Sequence, residues 1–309
     1  MKRRNFIRNT AASSIALSGL GTMLGSSALA AESSNAAKFK LKYAPGLGTF
    51  REHVGNDPIE NIKFIADQGF RAVFDNGLAG RTPEIQEKIG NELARLGLDL
   101  GPFIVYADHG AKYMVTSDPE VKKMLQQKTT EALEVQKRTG AKTGLITPGI
   151  YDEKMDWDYQ TLNVVENMRA CCDIAGKTGL ELVLEPLNHQ VDHPRLFLTK
   201  MAQAKMICVA VNHPSCKIVD DMYHQQITEG NLIMNMDLCW DYIGAFHIGD
   251  NPGRKEPTTG EINYKNIFKH IYDKGYNGTL CCEHGKSIGG KEGEIALIEA
   301  YRKVDSFDV

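Results

Sequence analysis

Four acid and imidazole side chains close four apolar runs in the second half of the chain. Leu182-Val183-Leu184 ends in Glu185, Lys217-Ile218-Val219-Asp220 in Asp221, Gly244-Ala245-Phe246 in His247, and Thr279-Leu280-Cys281-Cys282 in Glu283. Three carboxylates and one imidazole make an oxygen-rich ligand set. It suits a divalent cation, Mn²⁺ or Mg²⁺ first and Co²⁺ or Zn²⁺ next, and it lacks the thiolates of a closed structural zinc site. Moving a carbonyl to the neighbouring carbon of a hydroxy-carbonyl compound takes a proton from carbon, forms an enediolate and returns a proton one atom away. A cation bridging the two oxygens stabilises the developing charge, and carboxylates on either side of the substrate can carry the protons. No serine or cysteine nucleophile is required.

Such residues meet only if a fold brings strand ends to one rim. From about Phe39 onward, short β-rich runs alternate with stretches of helical period, and no linker or low-complexity tract interrupts them. Asp57-Pro58, Thr82-Pro83 and Asp118-Pro119 each pair a capping residue with a proline suited to a first helical turn. Val121, Met124, Leu125, Lys128, Ala132 and Val135 share one helical face. Gly69, Gly97, Gly140, Gly179 and Gly275 stand where helices give way to strands, as left-handed terminating residues do. Eight strands are expected near residues 39–44, 71–75, 99–105, 142–147, 181–185, 216–221, 243–248 and 278–283, each followed by a helix. Eight βα units in a single domain predict an α/β fold of the (β/α)8 TIM barrel type, whose chemistry sits at the C-terminal strand ends. An open doubly wound sheet is the alternative, but no G-x-G-x-x-G follows the first strand.

Longer motifs carry a resemblance. Glu185-Pro186-Leu187-Asn188-His189, Asp221-Met222-Tyr223-His224, His247-Ile248-Gly249-Asp250-Asn251-Pro252-Gly253-Arg254, Glu256 to Tyr264 and Cys282-Glu283 resemble the hydroxypyruvate isomerase family. That family falls within the xylose isomerase-like TIM barrels, which include ketose 3-epimerases. The resemblance is close over 180–285 and topological over 38–180. It implies a metal held by Glu185, Asp221, His247 and Glu283, with Glu185 and Glu283 as a catalytic proton-exchanging pair whose sides are not assigned. It also implies that His224 and Arg254 contact substrate oxygens. His224 as a helix cap and Arg254 as a solvated loop charge are the structural alternatives, and Glu261 is read as opening the seventh helix. His247 matches the epimerase branch, where some hydroxypyruvate isomerases carry glutamine. The second and third strands end Val73-Phe74-Asp75 and Val105-Tyr106-Ala107-Asp108-His109, without the glutamate and the His-Asn pair that are usual there. Tyr43, Tyr106, Tyr223 and Trp240 are candidates for stacking on a sugar ring.

The 309 residues are not homogeneous. Residues 1–30 combine Arg3-Arg4-Asn5-Phe6-Ile7-Arg8, an apolar stretch from Ala11 to Leu24 and the small-residue site Ala28-Leu29-Ala30, and they resemble a twin-arginine signal. Export to the periplasm, cleavage after Ala30, a short linker at 31–37 and a barrel at 38–309 are the expectations. The stretch is too short and too dilute in apolar residues for a stable membrane span. Four of the 36 basic residues lie in that segment and none of the 39 acids, so the rest carries a formal charge of −7. An acidic barrel lacks the electrostatic footprint of a nucleic-acid binder, and this speaks against the metal-dependent endonucleases that share the fold. Seven cysteines without C-x-x-C spacing read as buried free thiols.

The expected function is a divalent-metal-dependent isomerase of a small-molecule sugar or keto acid, possible as a homo-oligomer. A ketose 3-epimerase and a non-catalytic sugar-binding barrel are the alternatives.

Overall fold

A computed structural model describes residues 36–309; the expected signal at 1–30 and residues 31–35 of the linker lie outside the described residues. The strands are β1 (Lys42–Pro45), β2 (Ala72–Val73), β3 (Asp99–Leu100), β4 (Phe103–Tyr106), β5 (Thr143–Ile146), β6 (Glu181–Leu184), β7 (Cys216–Asp221), β8 (Ile243–Ile248) and β9 (Thr279–Cys282). Seven of them form one sheet in the order β1-β9-β8-β7-β6-β5-β4, and β2 pairs with β3. Every pairing is parallel. The circle closes where Phe74 bridges Gly46, its N–H donating to the Pro45 carbonyl at 3.1 Å while its carbonyl accepts from Leu47 N–H at 3.0 Å. β3 and β4 are halves of one stave, so the ring is the expected (β/α)8 barrel.

One expectation is corrected there. The third strand does not run unbroken over 99–105, because Gly101-Pro102 interrupts it. Pro102 has no N–H for the ladder, and Gly101 passes so close to the interior that a Cβ would lie 2.4 Å from Cys281 Sγ and 2.8 Å from Phe74 Cβ.

The helices begin and end as their sequences require. Asp57 caps Pro58–Asp67, accepting from Ile59 and Glu60 N–H, and Asp118 caps Pro119–Thr139, accepting from Glu120 N–H. Thr82 precedes Pro83–Leu96 without a side-chain cap bond. Leu125, Ala132 and Val135 are buried on the predicted face, with Val121 and Met124 half-buried. All five helix-ending glycines have φ between 66° and 82°, a region that L side chains avoid. Glu261 does not open the seventh helix. Tyr264–Asp273 starts after Asn263, whose side chain accepts from Asn266 N–H, and Glu261 instead accepts from Asn251 Nδ2 at 2.8 Å.

Apolar packing has two layers. Between sheet and helices lies the main core, with Phe39, Tyr43, Phe246, Phe268 and Tyr301 fully buried. Inside the barrel, Leu145, Val183, Val219 and Ala245 form one cluster and Ala44, Ala72, Phe74 and Cys281 another. These plugs floor the rim above them. All seven cysteines are buried and unpaired. Among the described residues no helix is long and apolar enough to cross a membrane.

Candidate metal centre

Strand alternation puts the four expected ligands on one floor. Val183, Val219, Ala245 and Cys281 line the interior, and the residues two further on are Glu185, Asp221, His247 and Glu283. A period of two keeps each on the inward side. In-register pairing sets Asp221 beside His247, and His247 beside Cys281. One ligand atom from each of the four lies within 4.8 Å of the others. His247 Nδ1 is 2.8 Å from Glu185 Oε1, 3.0 Å from Glu283 Oε2 and 3.9 Å from Asp221 Oδ2. Glu185, Asp221 and His247 are buried and Glu283 is partly open to the mouth.

Each carboxylate divides its two oxygens between framework and centre. Asp221 Oδ1 caps the helix Met222–Thr228, accepting from Tyr223 N–H at 2.8 Å and His224 N–H at 3.1 Å, which leaves Oδ2 for the centre. Glu283 Oε1 accepts from Asn76 Nδ2 at 2.6 Å, while Oε2 faces His247 and Arg254. Asn76 was not singled out in the sequence; it lies in the loop after a two-residue strand, where no periodicity marks it.

Three carboxylates in a largely buried pocket need positive charge. Burial opposes protonation of His247, but the charges of Glu283 and Glu185 outweigh it and hold its pKa well above the usual value. Burial likewise opposes ionisation of Glu283, yet His247 and Arg254 draw its pKa far below the usual carboxylate range. A proton on His247 and the guanidinium of Arg254 offset two of the three negative charges and leave one uncompensated. The donor set and the charge deficit fit a divalent metal ion, and Glu185, Asp221, His247 and Glu283 are the residues that would hold it.

His224 and Arg254 both lie beside this centre. His224 is fully buried inside the helix that Asp221 caps, with Nε2 3.7 Å from Asp221 Oδ2. Arg254 Nη2 lies 2.8 Å from Glu283 Oε2 and 3.4 Å from Asp221 Oδ2, and its guanidinium sits 5.0 Å over the Tyr223 ring. Its loop is tied down by buried Asp250, whose carboxylate accepts from the N–H groups of Asn251, Gly260 and Ile262. Among the described residues, three buried polar atoms at the centre have no hydrogen-bond partner: His224 Nε2, His247 Nε2 and Asn76 Oδ1.

The stacking candidates divide. Tyr223 is at the rim. Tyr43 is fully buried among Phe39, Phe268 and Tyr301, and Trp240 precedes β8, at the opposite end of the barrel from the ligands. Tyr106 packs edge-on against Tyr113.

Comparison with known proteins agrees with this architecture. Residues 62–303 match the family model described as xylose isomerase-like TIM barrel. Over 139 residues the chain is 42% identical to hydroxypyruvate isomerase of Escherichia coli K12, covering 45% of this chain and 53% of that protein. The chain spans about half the length of the curated relatives it matches first. Among solved structures, an AP endonuclease, family 2, from Brucella melitensis superposes with TM-score 0.73 at 24% identity, covering 84% of this chain and 99% of that one. The 3-keto-D-glucoside 4-epimerase of E. coli superposes with TM-score 0.71 at 20% identity, covering 86% and 100%. At these identities the two structures show a shared fold.

Proposed function

The chain belongs to the xylose isomerase-like TIM barrel family, and from that premise we propose that it is a divalent-metal-dependent isomerase of a sugar or hydroxy-keto acid. The observation that carries this reading is the convergence of Glu185, Asp221, His247 and Glu283 within 4.8 Å at the C-terminal rim. A divalent cation held by Glu185, Asp221, His247 and Glu283 would supply positive charge that stabilises negative charge developing on substrate oxygen. The remaining work falls to side chains of this protein. Glu185, after β6 two strands away on one side of β8, and Glu283, after β9 directly beside it on the other, both approach His247 Nδ1, so a carboxylate is available on either side of a substrate held there. Arg254 offers a fixed positive charge to a substrate oxygen, and His224 a buried ring nitrogen to another.

The test is solvent deuterium appearing on substrate carbon with purified, Mn²⁺-supplemented protein. Full activity in Glu185→Gln or Glu283→Gln would overturn the two-carboxylate mechanism. Absence of metal by elemental analysis, with tight sugar binding and no exchange, would point to a non-catalytic barrel. Ketose 3-epimerisation is the second reading, favoured by an imidazole at position 247, and product stereochemistry separates it from aldose–ketose isomerisation. The leader expected at residues 1–30 supports a periplasmic site of action.

A further inference from the structure

Three thiols meet behind the turn that joins the helix Met201–Val211 to β7. Cys208 lies in the last turn of that helix, Cys216 opens β7, and Cys172 belongs to the neighbouring helix Trp157–Ala175. Cys216 Sγ is 3.7 Å from Cys208 Sγ. A disulfide is ~2 Å long, so each sulfur has less than about 1 Å to travel to make one. Backbone bonds hold both ends of the pair in place. Asn212, left-handed at φ 51°, donates its N–H to the Cys208 carbonyl at 3.0 Å, and Cys216 N–H donates to the His213 carbonyl at 3.0 Å. The connection between helix and strand is thus a closed turn with a thiol at each end.

The three thiols are not equivalent. Hydrogen bonds from Cys172 and from Cys208, with His213 and Lys217 adding to them, hold Cys216 below the usual thiol pKa although burial opposes this. The same bonds push Cys172 and Cys208 up. The thiolate is the nucleophilic form, so Cys216 is the one set to react. Access separates the two possible partners. Cys208 and Cys216 each keep 2% exposure beneath a turn whose Asn212 and Pro214 are exposed, whereas Cys172 keeps none. An oxidant the size of water therefore meets Cys208 and Cys216 before Cys172.

We propose that Cys208 and Cys216 are a redox modification site, a pair that closes to a disulfide with a small peroxide and staples the end of the helix Met201–Val211 to the start of β7. The Cys216 thiolate attacks one oxygen of hydrogen peroxide, the O–O bond breaks and hydroxide leaves, which gives a sulfenic acid. The Cys208 thiolate attacks that sulfur, the S–O bond breaks and a second hydroxide leaves as the S–S bond forms. Two thiol protons and two hydroxides make two waters; the two sulfurs are oxidised and the peroxide oxygens reduced. Asp221 ends the strand that Cys216 begins, so the staple tethers an element that carries a candidate metal ligand. The pairing is independent of the isomerase reading.

The test treats the reduced full chain with hydrogen peroxide, blocks remaining thiols with N-ethylmaleimide in denaturant and digests with trypsin. Cleavage after Lys205 and Lys217 leaves Cys208 and Cys216 in one peptide, Met206–Lys217, while Cys171 and Cys172 share Ala170–Lys177. The expected result is loss of two of the seven free thiols, seen as a peptide Met206–Lys217 that is two hydrogens lighter and takes no maleimide. Dithiothreitol should restore both thiols. The oxidised chain should melt about 5 °C above the same sample after dithiothreitol, because the bond closes a short loop. Cys208→Ala should form no disulfide and lose that difference. A fully alkylated Met206–Lys217 after peroxide, or a cross-link from it to Ala170–Lys177, overturns the pairing, and the wild-type digest decides this even if the variant fails to fold. A disulfide that forms without moving the melting temperature overturns the staple.

Discussion

Asn188 donates from Nδ2 to His224 Nδ1 at 2.7 Å, with its own backbone N–H 3.3 Å from the same nitrogen. A ring nitrogen that accepts cannot carry the proton, so a neutral His224 presents Nε2–H toward the candidate metal centre. Asn188 is itself fixed: its second amide hydrogen goes to Asp192 Oδ2, and its Oδ1 accepts from the N–H groups of Val191 and Asp192. One asparagine therefore sets a tautomer and anchors the loop that carries His193.

Asn188→Asp should be the more informative replacement. A carboxylate facing Nδ1 pulls the proton to that side and turns Nε2 into an acceptor, whereas Asn188→Ala leaves the ring free to choose. Both should lower kcat/KM, by about 10- to 100-fold, as losses of supporting partners do, and the aspartate variant should be the worse. Histidine ¹⁵N chemical shifts report the tautomer directly. An unchanged Nε2–H tautomer in Asn188→Asp would show that Asn188 does not set it.

Asn76 holds Glu283 from the opposite side. Replacing it by aspartate places a second carboxylate where an amide donor stood 2.6 Å from Oε1. Like charges at that distance raise the Glu283 pKa and turn the carboxylate away from the centre. The expected outcome is a fall in kcat of about 100-fold for Asn76→Asp and about tenfold for Asn76→Ala, with melting temperatures near wild type because the residue sits in a rim loop. Equal activity of both variants would show that Glu283 is oriented by other groups.

Metal loading should depend on pH with a definite sign. His247 is held protonated by Glu283 and Glu185 although burial opposes it. A cation must displace that proton to use Nδ1. Apparent affinity therefore rises with pH, by about tenfold per unit below the raised His247 pKa, and levels off above it. Glu283, already ionised by its neighbours, contributes no further slope near neutrality. Mn²⁺ titrations between pH 6 and 8 check this, and His247→Gln should flatten the dependence while weakening binding.

The convergence of the four candidate ligands was legible because it obeys a simple rule. Each stands two residues beyond an interior-lining residue on its own strand, so a correct strand register also predicts the site. Glu185 follows Val183, and Glu283 follows Cys281. Asn76 and His193 obey no period. Asn76 is a loop residue fixed by its bond to distant Glu283, and His193 is fixed by backbone bonds within its own irregular loop, so no periodicity marks either. Tyr43 and Trp240 were misplaced for a related reason: an aromatic residue near a strand can face the helices or precede the strand, and both did. The break in the third strand was signalled by Gly101-Pro102, but the apolar run on either side of it suggested continuity.

That break supplies a prediction linking the barrel interior to the centre. A methyl group added by Gly101→Ala would meet Cys281 Sγ at 2.4 Å and Phe74 Cβ at 2.8 Å. The Phe74 ring lies 6.0 Å from the His247 ring, centroid to centroid. Overpacking here should cost about 1–3 kcal/mol in stability, and part of the strain reaches His247 through Phe74, so Mn²⁺ affinity should fall together with the unfolding midpoint. Cys281→Ala removes one of the two obstructing groups. In the Gly101→Ala, Cys281→Ala double variant the combined loss should be smaller than the sum of the single losses, because the two positions share one space. Strict additivity in denaturant unfolding would mean that the strand avoids the clash by moving outward, and metal affinity should then stay at the wild-type value.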